Sequence, residues 1–141
     1  MLWRGFTIGD RLLAGSSDEG VAMDVQNIAR VRAFATKDGS EIRELLAHRN
    51  SCIRKQSLAE ARLPPGARTA PHYHPATEEI YYILEGRGRM TIGEDAQDVG
   101  PGDAIAIPPG AVHTILCTGD SPLKFLCCCA PAYEHSDTVL V

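Results

Sequence analysis

The chain has 141 residues, a formal charge of −4 and an apolar share of 44%. That length suits a single domain with a core of its own. The charge leaves no basic footprint for nucleic acid, and no apolar run is long enough to span a bilayer as a helix. Thirteen glycines and nine prolines are scattered along the chain and predict many turns between short strands.

In chain order, residues 1–24 read as an N-terminal arm, with residues 25–141 as one domain. The middle of the arm, AGSSDEG, is small and polar, and Trp3, Phe6 and Ile8 are too few to form a core. The arm is therefore expected to be a loose tail or a contact with a partner subunit. MLWRGFTIGDRLLAG lacks the basic-then-apolar pattern of a secretory signal. With five cysteines and no C-x-x-C spacing, the expectation is a cytoplasmic protein with reduced thiols.

From Val25 the apolar pattern has a short period. VQNIARVRAF (25–34) alternates loosely and is expected to form a strand. EIRELL (41–46) is ambiguous between helix and strand, and its context favours a strand. CIRKQSLAEARL (52–63) would place Ser57, Ala59 and Ala61 on one side and Leu58, Glu60 and Arg62 on the other. Past Pro64-Pro65-Gly66 the strand signals are regular: EIYYILEG, GRMTIG, DAIAIP, VHTILC and LKFLCCC, each bounded by Gly, Pro or Asp. Closely spaced strands joined by turns predict an all-β, antiparallel jelly-roll barrel. In LKFLCCC, Cys127 and Cys129 would share a face, read as small buried hydrophobes.

The stretch PHYHPATEEIYYILEG carries the chemistry. Residues two apart on a strand point the same way, so His72 and His74 present their imidazoles together. After the turn at residues 75–77, Glu79, Tyr81 and Ile83 share one face, and Glu78, Ile80 and Tyr82 the other. A third imidazole, His113, opens a strand after PPGAV. Three imidazoles and a carboxylate suit Fe, Mn, Ni, Cu or Zn, and four such ligands on an octahedral ion leave two positions open. His48 and His135 read as solvated, and Arg62, Arg68, Arg87 and Arg89 as mostly solvated.

The spacing runs Gly66, five residues, His72-x-His74, four residues, Glu79, six residues, Gly86. A second run follows: Gly102, five residues, Pro108-x-Gly110, two residues, His113. The pair, fifteen residues apart, resembles the two motifs of the cupin superfamily in its compact single-domain form. The resemblance implies a double-stranded β-helix barrel with His72, His74, Glu79 and His113 as ligands of one divalent transition metal, Fe or Mn favoured over Zn, Ni or Cu. Glu78 competes with Glu79, since the family uses either spacing, and the interval to Gly86 selects Glu79. The motif's usual closing Asn is replaced by Cys117, expected to line the barrel with Ile115.

Tyr81 is the catalytic candidate, its hydroxyl positioned to orient a substrate; Met90 is a weaker cavity candidate. The resemblance implies a metal-dependent enzyme acting on a small oxygenated metabolite, with a dioxygenase favoured and an isomerase or lyase as alternatives. A non-enzymatic small-molecule-binding or sensory protein is the rival class. A homodimer through sheet edges is expected, with residues 25–34 and 41–46 as candidate contacts.

Overall fold

The structure, a computed structural model, describes residues 23–141. The predicted arm lies outside the described residues except for Met23 and Asp24; the Asp24 carboxylate accepts the Cys52 backbone N–H at 2.6 Å.

Two antiparallel sheets make up the fold, with strands numbered in chain order. The larger runs β1 (Phe34–Ala35), β2 (Glu41–Leu46), β3 (Ser57–Leu63), β10 (Leu123–Ala130), β5 (Glu78–Glu85), β8 (Ala104–Ile107). The smaller runs β11 (Val139–Leu140), β4 (His72–Tyr73), β9 (His113–Cys117), β6 (Gly88–Ile92), β7 (Asp95–Val99). Neighbours that are distant in sequence, such as β3 beside β10 and β4 beside β9, give the jelly-roll winding. Among the described residues there is no α-helix, only the 3₁₀ turns Ile28–Arg30 and His135–Asp137.

The alternation of β5 explains how the sheets pack. Glu79, Tyr81 and Ile83 are buried, while Ile80, Tyr82 and Leu84 are 49%, 42% and 37% exposed on the outer face. On β10, Phe125, Cys127 and Cys129 turn inward beside them. Tyr81 lies against Phe125 with ring centroids 4.6 Å apart. Leu63, Ile83, Ile115 and Leu123 complete the same core with at most 1% exposure, each worth about 1.5–3 kcal/mol of burial. The expected inward row His113, Ile115 and Cys117 is buried, and Met90 packs in this core.

Two turns fix the motif. At Gly86 the backbone takes φ +83°, and an added Cβ would sit 2.5 Å from the Pro122 carbonyl oxygen. At Gly110, φ is +78° and the N–H donates to the His74 carbonyl at 2.8 Å, tying the prolyl turn before His113 to the first motif.

The strand expected over residues 25–34 is not formed. Asn27 accepts the Ala29 N–H at 2.9 Å and starts a 3₁₀ turn instead. Only Phe34–Ala35 pairs, as β1. A loosely alternating pattern with no apolar face to bury loses to this local side-chain bond. β2, the ambiguous segment, is a strand. Two strands lacked a sequence signal: β7, whose DAQDV is mostly polar and exposed, and the two-residue β11.

Candidate metal centre

The four sequence-selected side chains converge from both sheets. β4 and β9 pair His72 directly with His113, and their ring centroids are 4.2 Å apart. His74 follows β4, while Glu79 faces them from β5 in the opposite sheet. One ligand atom from each of the four lies within 4.8 Å of the other three, and all four residues are buried. Glu78 is exposed, as strand alternation requires.

Backbone carbonyls orient all three imidazoles. His72 Nδ1 lies 2.7 Å from Ala70 O, His74 Nδ1 3.1 Å from Asp137 O, and His113 Nδ1 2.9 Å from Ala111 O. A carbonyl only accepts, so each Nδ1 carries the proton and each Nε2 turns a lone pair inward. Those lone pairs meet Glu79 Oε2, at 3.3 Å from His74 Nε2 and 3.4 Å from His113 Nε2. Glu79 Oε2 and His113 Nε2 are buried without a hydrogen-bond partner. Each unpaired buried group costs about 1–3 kcal/mol. Two species relieve such a cluster: protons or a metal cation.

The metal-free chain draws protons. Burial alone would raise the Glu79 carboxyl, but the facing His113 and His74 imidazoles outweigh it and hold the group at about 2. Burial works against a charged His74, and the neighbouring Glu79 overcomes it, raising His74 above its usual 6.5. At His72 burial prevails, reinforced by His113, and lowers the group. His72 thus favours the neutral form that a metal ligand needs.

A cavity of about 40 Å³ adjoins the cluster, room for about three water-sized groups. Its walls bring in residues that sequence reasoning missed. Asp38, in the β1–β2 turn, points Oδ2 at His72 Nε2 from 3.7 Å. Tyr133 meets His74 edge-on with centroids 6.1 Å apart, and Thr138 Oγ1 lies 3.4 Å from His74 Nδ1. Asp137, beyond supplying the carbonyl for His74, accepts the Thr77 N–H at 3.0 Å and steadies the turn before Glu79. Cys129, expected to be a small hydrophobe, donates its thiol to Glu79 Oε1 at 3.4 Å. No local motif marks these residues.

Tyr81 sits on the core side of the cluster, its ring 5.9 Å from that of His113, and does not line the cavity. Burial raises its phenol well above the usual value. His48 is exposed and lies 3.3 Å from Glu134, and His135 is exposed on its 3₁₀ turn. Among the flanking arginines, Arg68, Arg87 and Arg89 are exposed, Arg62 pairs with Glu60, and none lines the cavity.

A jelly roll with three imidazoles and a carboxylate turned inward defines a class of barrel proteins suited to a divalent metal. The Cupin domain family model matches residues 59–129, and the chain belongs to the cupin family. It is 50% identical over 112 residues to an uncharacterized protein of Methanocaldococcus jannaschii, covering 79% of this chain and 90% of that one. An oxalate-binding protein of Thermotoga maritima is 33% identical over 86 residues, covering 61% of this chain and 71% of that one. The polyketide cyclase RemF of Streptomyces resistomycificus has a similar structure, with TM-score 0.71 and 25% identity, over 85% of this chain and 86% of that one.

Proposed function

We propose that His72, His74, Glu79 and His113 hold one divalent transition metal, Fe or Mn ahead of Zn, Ni or Cu, in an enzyme acting on a small oxygenated metabolite. The observation that carries this reading is the meeting of three Nε2 lone pairs and Glu79 Oε2 at one buried point, with Nδ1 of every imidazole already engaged. When bound, the metal would polarise a substrate oxygen or activate dioxygen.

The protein's own groups account for the rest. The Ala70, Asp137 and Ala111 carbonyls fix the ring orientations. The Cys129 thiol occupies Glu79 Oε1 and leaves Oε2 for the metal. The apolar core behind the cluster excludes water. Tyr81 we assign to orienting substrate indirectly, from behind the cavity wall through the His113 ring 5.9 Å away, a role that Tyr81→Phe tests.

A dioxygenase is the favoured reaction, since this donor set suits redox-capable iron and manganese; an isomerase or lyase uses the same polarising centre. Two relatives named an oxalate-binding protein and a polyketide cyclase fit that substrate class. The oxalate-binding relative also supports a second reading, a module that binds a ligand without transforming it. Oxygen uptake by the Fe(II)-loaded protein, screened with diketones, catechols and thiols, separates the two. Turnover lost in Glu79→Ala and His113→Ala supports the enzyme, and a ligand bound tightly yet never changed supports the module.

We further propose a single domain over residues 25–141 that pairs as a homodimer in the cytoplasm. The exposed Ile80, Tyr82 and Leu84 favour pairing, and the five free thiols fit a reducing compartment. Sedimentation as a monomer at micromolar concentration would overturn the dimer.

A further inference from the structure

Asp38 places a carboxylate beside the metal cluster. Its Oδ1 accepts from Thr36 Oγ1–H at 2.6 Å, Ser40 N–H at 2.9 Å and Ser40 Oγ–H at 2.7 Å. Its own carbonyl accepts the Ala70 N–H at 2.7 Å, tying this turn to the segment that orients His72. The side chain is only 10% exposed, and Oδ2, which takes no hydrogen bond among the described residues, points into the cavity 3.7 Å from His72 Nε2.

No lysine or arginine is among the described residues lining the cavity. The adjacent Lys37 instead donates to the Thr138 and His135 carbonyls, at 2.8 and 3.3 Å. Of the other two acidic wall residues, Glu79 belongs to the cluster and Glu44 is neutralised by Arg49 at 2.5 Å. Asp38 also lies outside the four-residue group whose donor atoms are mutually within 4.8 Å, so it is not a fifth member of the cluster.

We infer that Asp38 is a specificity residue: resting on the metal site proposed above, the cavity takes a small chelating molecule with an O–H or N–H donor beside its metal-binding oxygen. It discriminates against ligands whose second group is another carboxylate, because that group has no proton to donate and would set an oxygen against Oδ2. α-Hydroxy amides, amino alcohols and neutral diols have the matching chemistry. A charge-assisted hydrogen bond to a buried carboxylate is strong enough to set this preference.

The test uses two ligands of one skeleton, oxalate and oxamate, titrated into the Co(II)-loaded protein and followed by the cobalt absorption spectrum. Oxamate keeps one carboxylate for the metal and offers amide N–H groups to Asp38. The expected result is oxamate bound about tenfold more tightly than oxalate, and the order reversed in Asp38→Asn. Asn keeps the oxygen that Thr36 and Ser40 hold, and its cobalt content should match the wild type. A wild type that prefers oxalate overturns the inference, and that arm needs no variant. An unchanged ratio in Asp38→Asn, or loss of cobalt from it, overturns it as well. A wild type that binds no cobalt instead sinks the metal site itself.

Discussion

Cys129 donates its thiol to Glu79 Oε1 across 3.4 Å, and the two residues are direct partners in the β10–β5 ladder. The contact occupies one carboxylate oxygen and leaves Oε2 to face the three imidazoles. Burial, with Glu79 nearby, raises the thiol far above its usual value, so it remains a donor rather than a thiolate. Cys129→Ala should weaken metal affinity about fivefold, the worth of one modest hydrogen bond, and Cys129→Ser should restore most of it. Metal titration of the three proteins checks this; equal affinity in all three would show that the thiol only fills space.

Metal uptake should depend on pH through His74. With its folded value raised above 6.5 by Glu79 against the effect of burial, His74 stabilises the metal-free fold fully below that pH and loses the contribution as pH rises through the folded value. His72 has the opposite sign: lowered by burial, its contribution is present above 6.5 and fades as pH falls toward its folded value. Glu79 contributes above its ordinary 4.5 and fades as pH falls through about 2. Because metal displaces the His74 proton, affinity should climb about tenfold per pH unit below the raised His74 value and level off above it. Calorimetry in buffers of different ionisation heat measures the released proton.

Gly86→Ala should destabilise the fold by more than about 2 kcal/mol. The position combines φ +83° with a Cβ site 2.5 Å from the Pro122 carbonyl oxygen and 2.9 Å from Leu123 Cα, both backbone atoms. Gly93→Ala, at φ +57° with nothing within 4 Å of the added carbon, should cost less. Urea unfolding of the two variants supplies the comparison.

Tyr81→Phe keeps the ring that packs 4.6 Å from Phe125 and removes only the hydroxyl. Stability should therefore change by less than about 1 kcal/mol and metal content should not change, while turnover or ligand affinity falls. Unchanged kinetics would leave Tyr81 a packing residue.

The sequence made the four-residue candidate metal cluster readable because its logic is local. His72 and His74 alternate on one segment, Glu79 and Glu78 take opposite faces of one strand, and a prolyl turn precedes His113. Hydrophobic alternation likewise marked β3, β5, β9 and β10. The surroundings of the cluster were not readable, because they are assembled from segments far apart in the chain. Asp38 arrives through the β1–β2 turn and the Ala70 bond, and Asp137, Thr138 and Tyr133 through the returning C-terminal segment. Residues 25–34 alternate only loosely and have no sheet face to bury an apolar side, and Asn27 offers a local alternative.

Metal analysis of the protein purified from its native host, beside Glu79→Ala prepared identically, asks directly whether the four residues hold an ion. About one transition-metal ion per chain is expected in the wild type and a large loss in the variant, with the fold preserved by circular dichroism. A wild type free of transition metal after growth in metal-replete medium, or a variant that keeps its full complement, would contradict it.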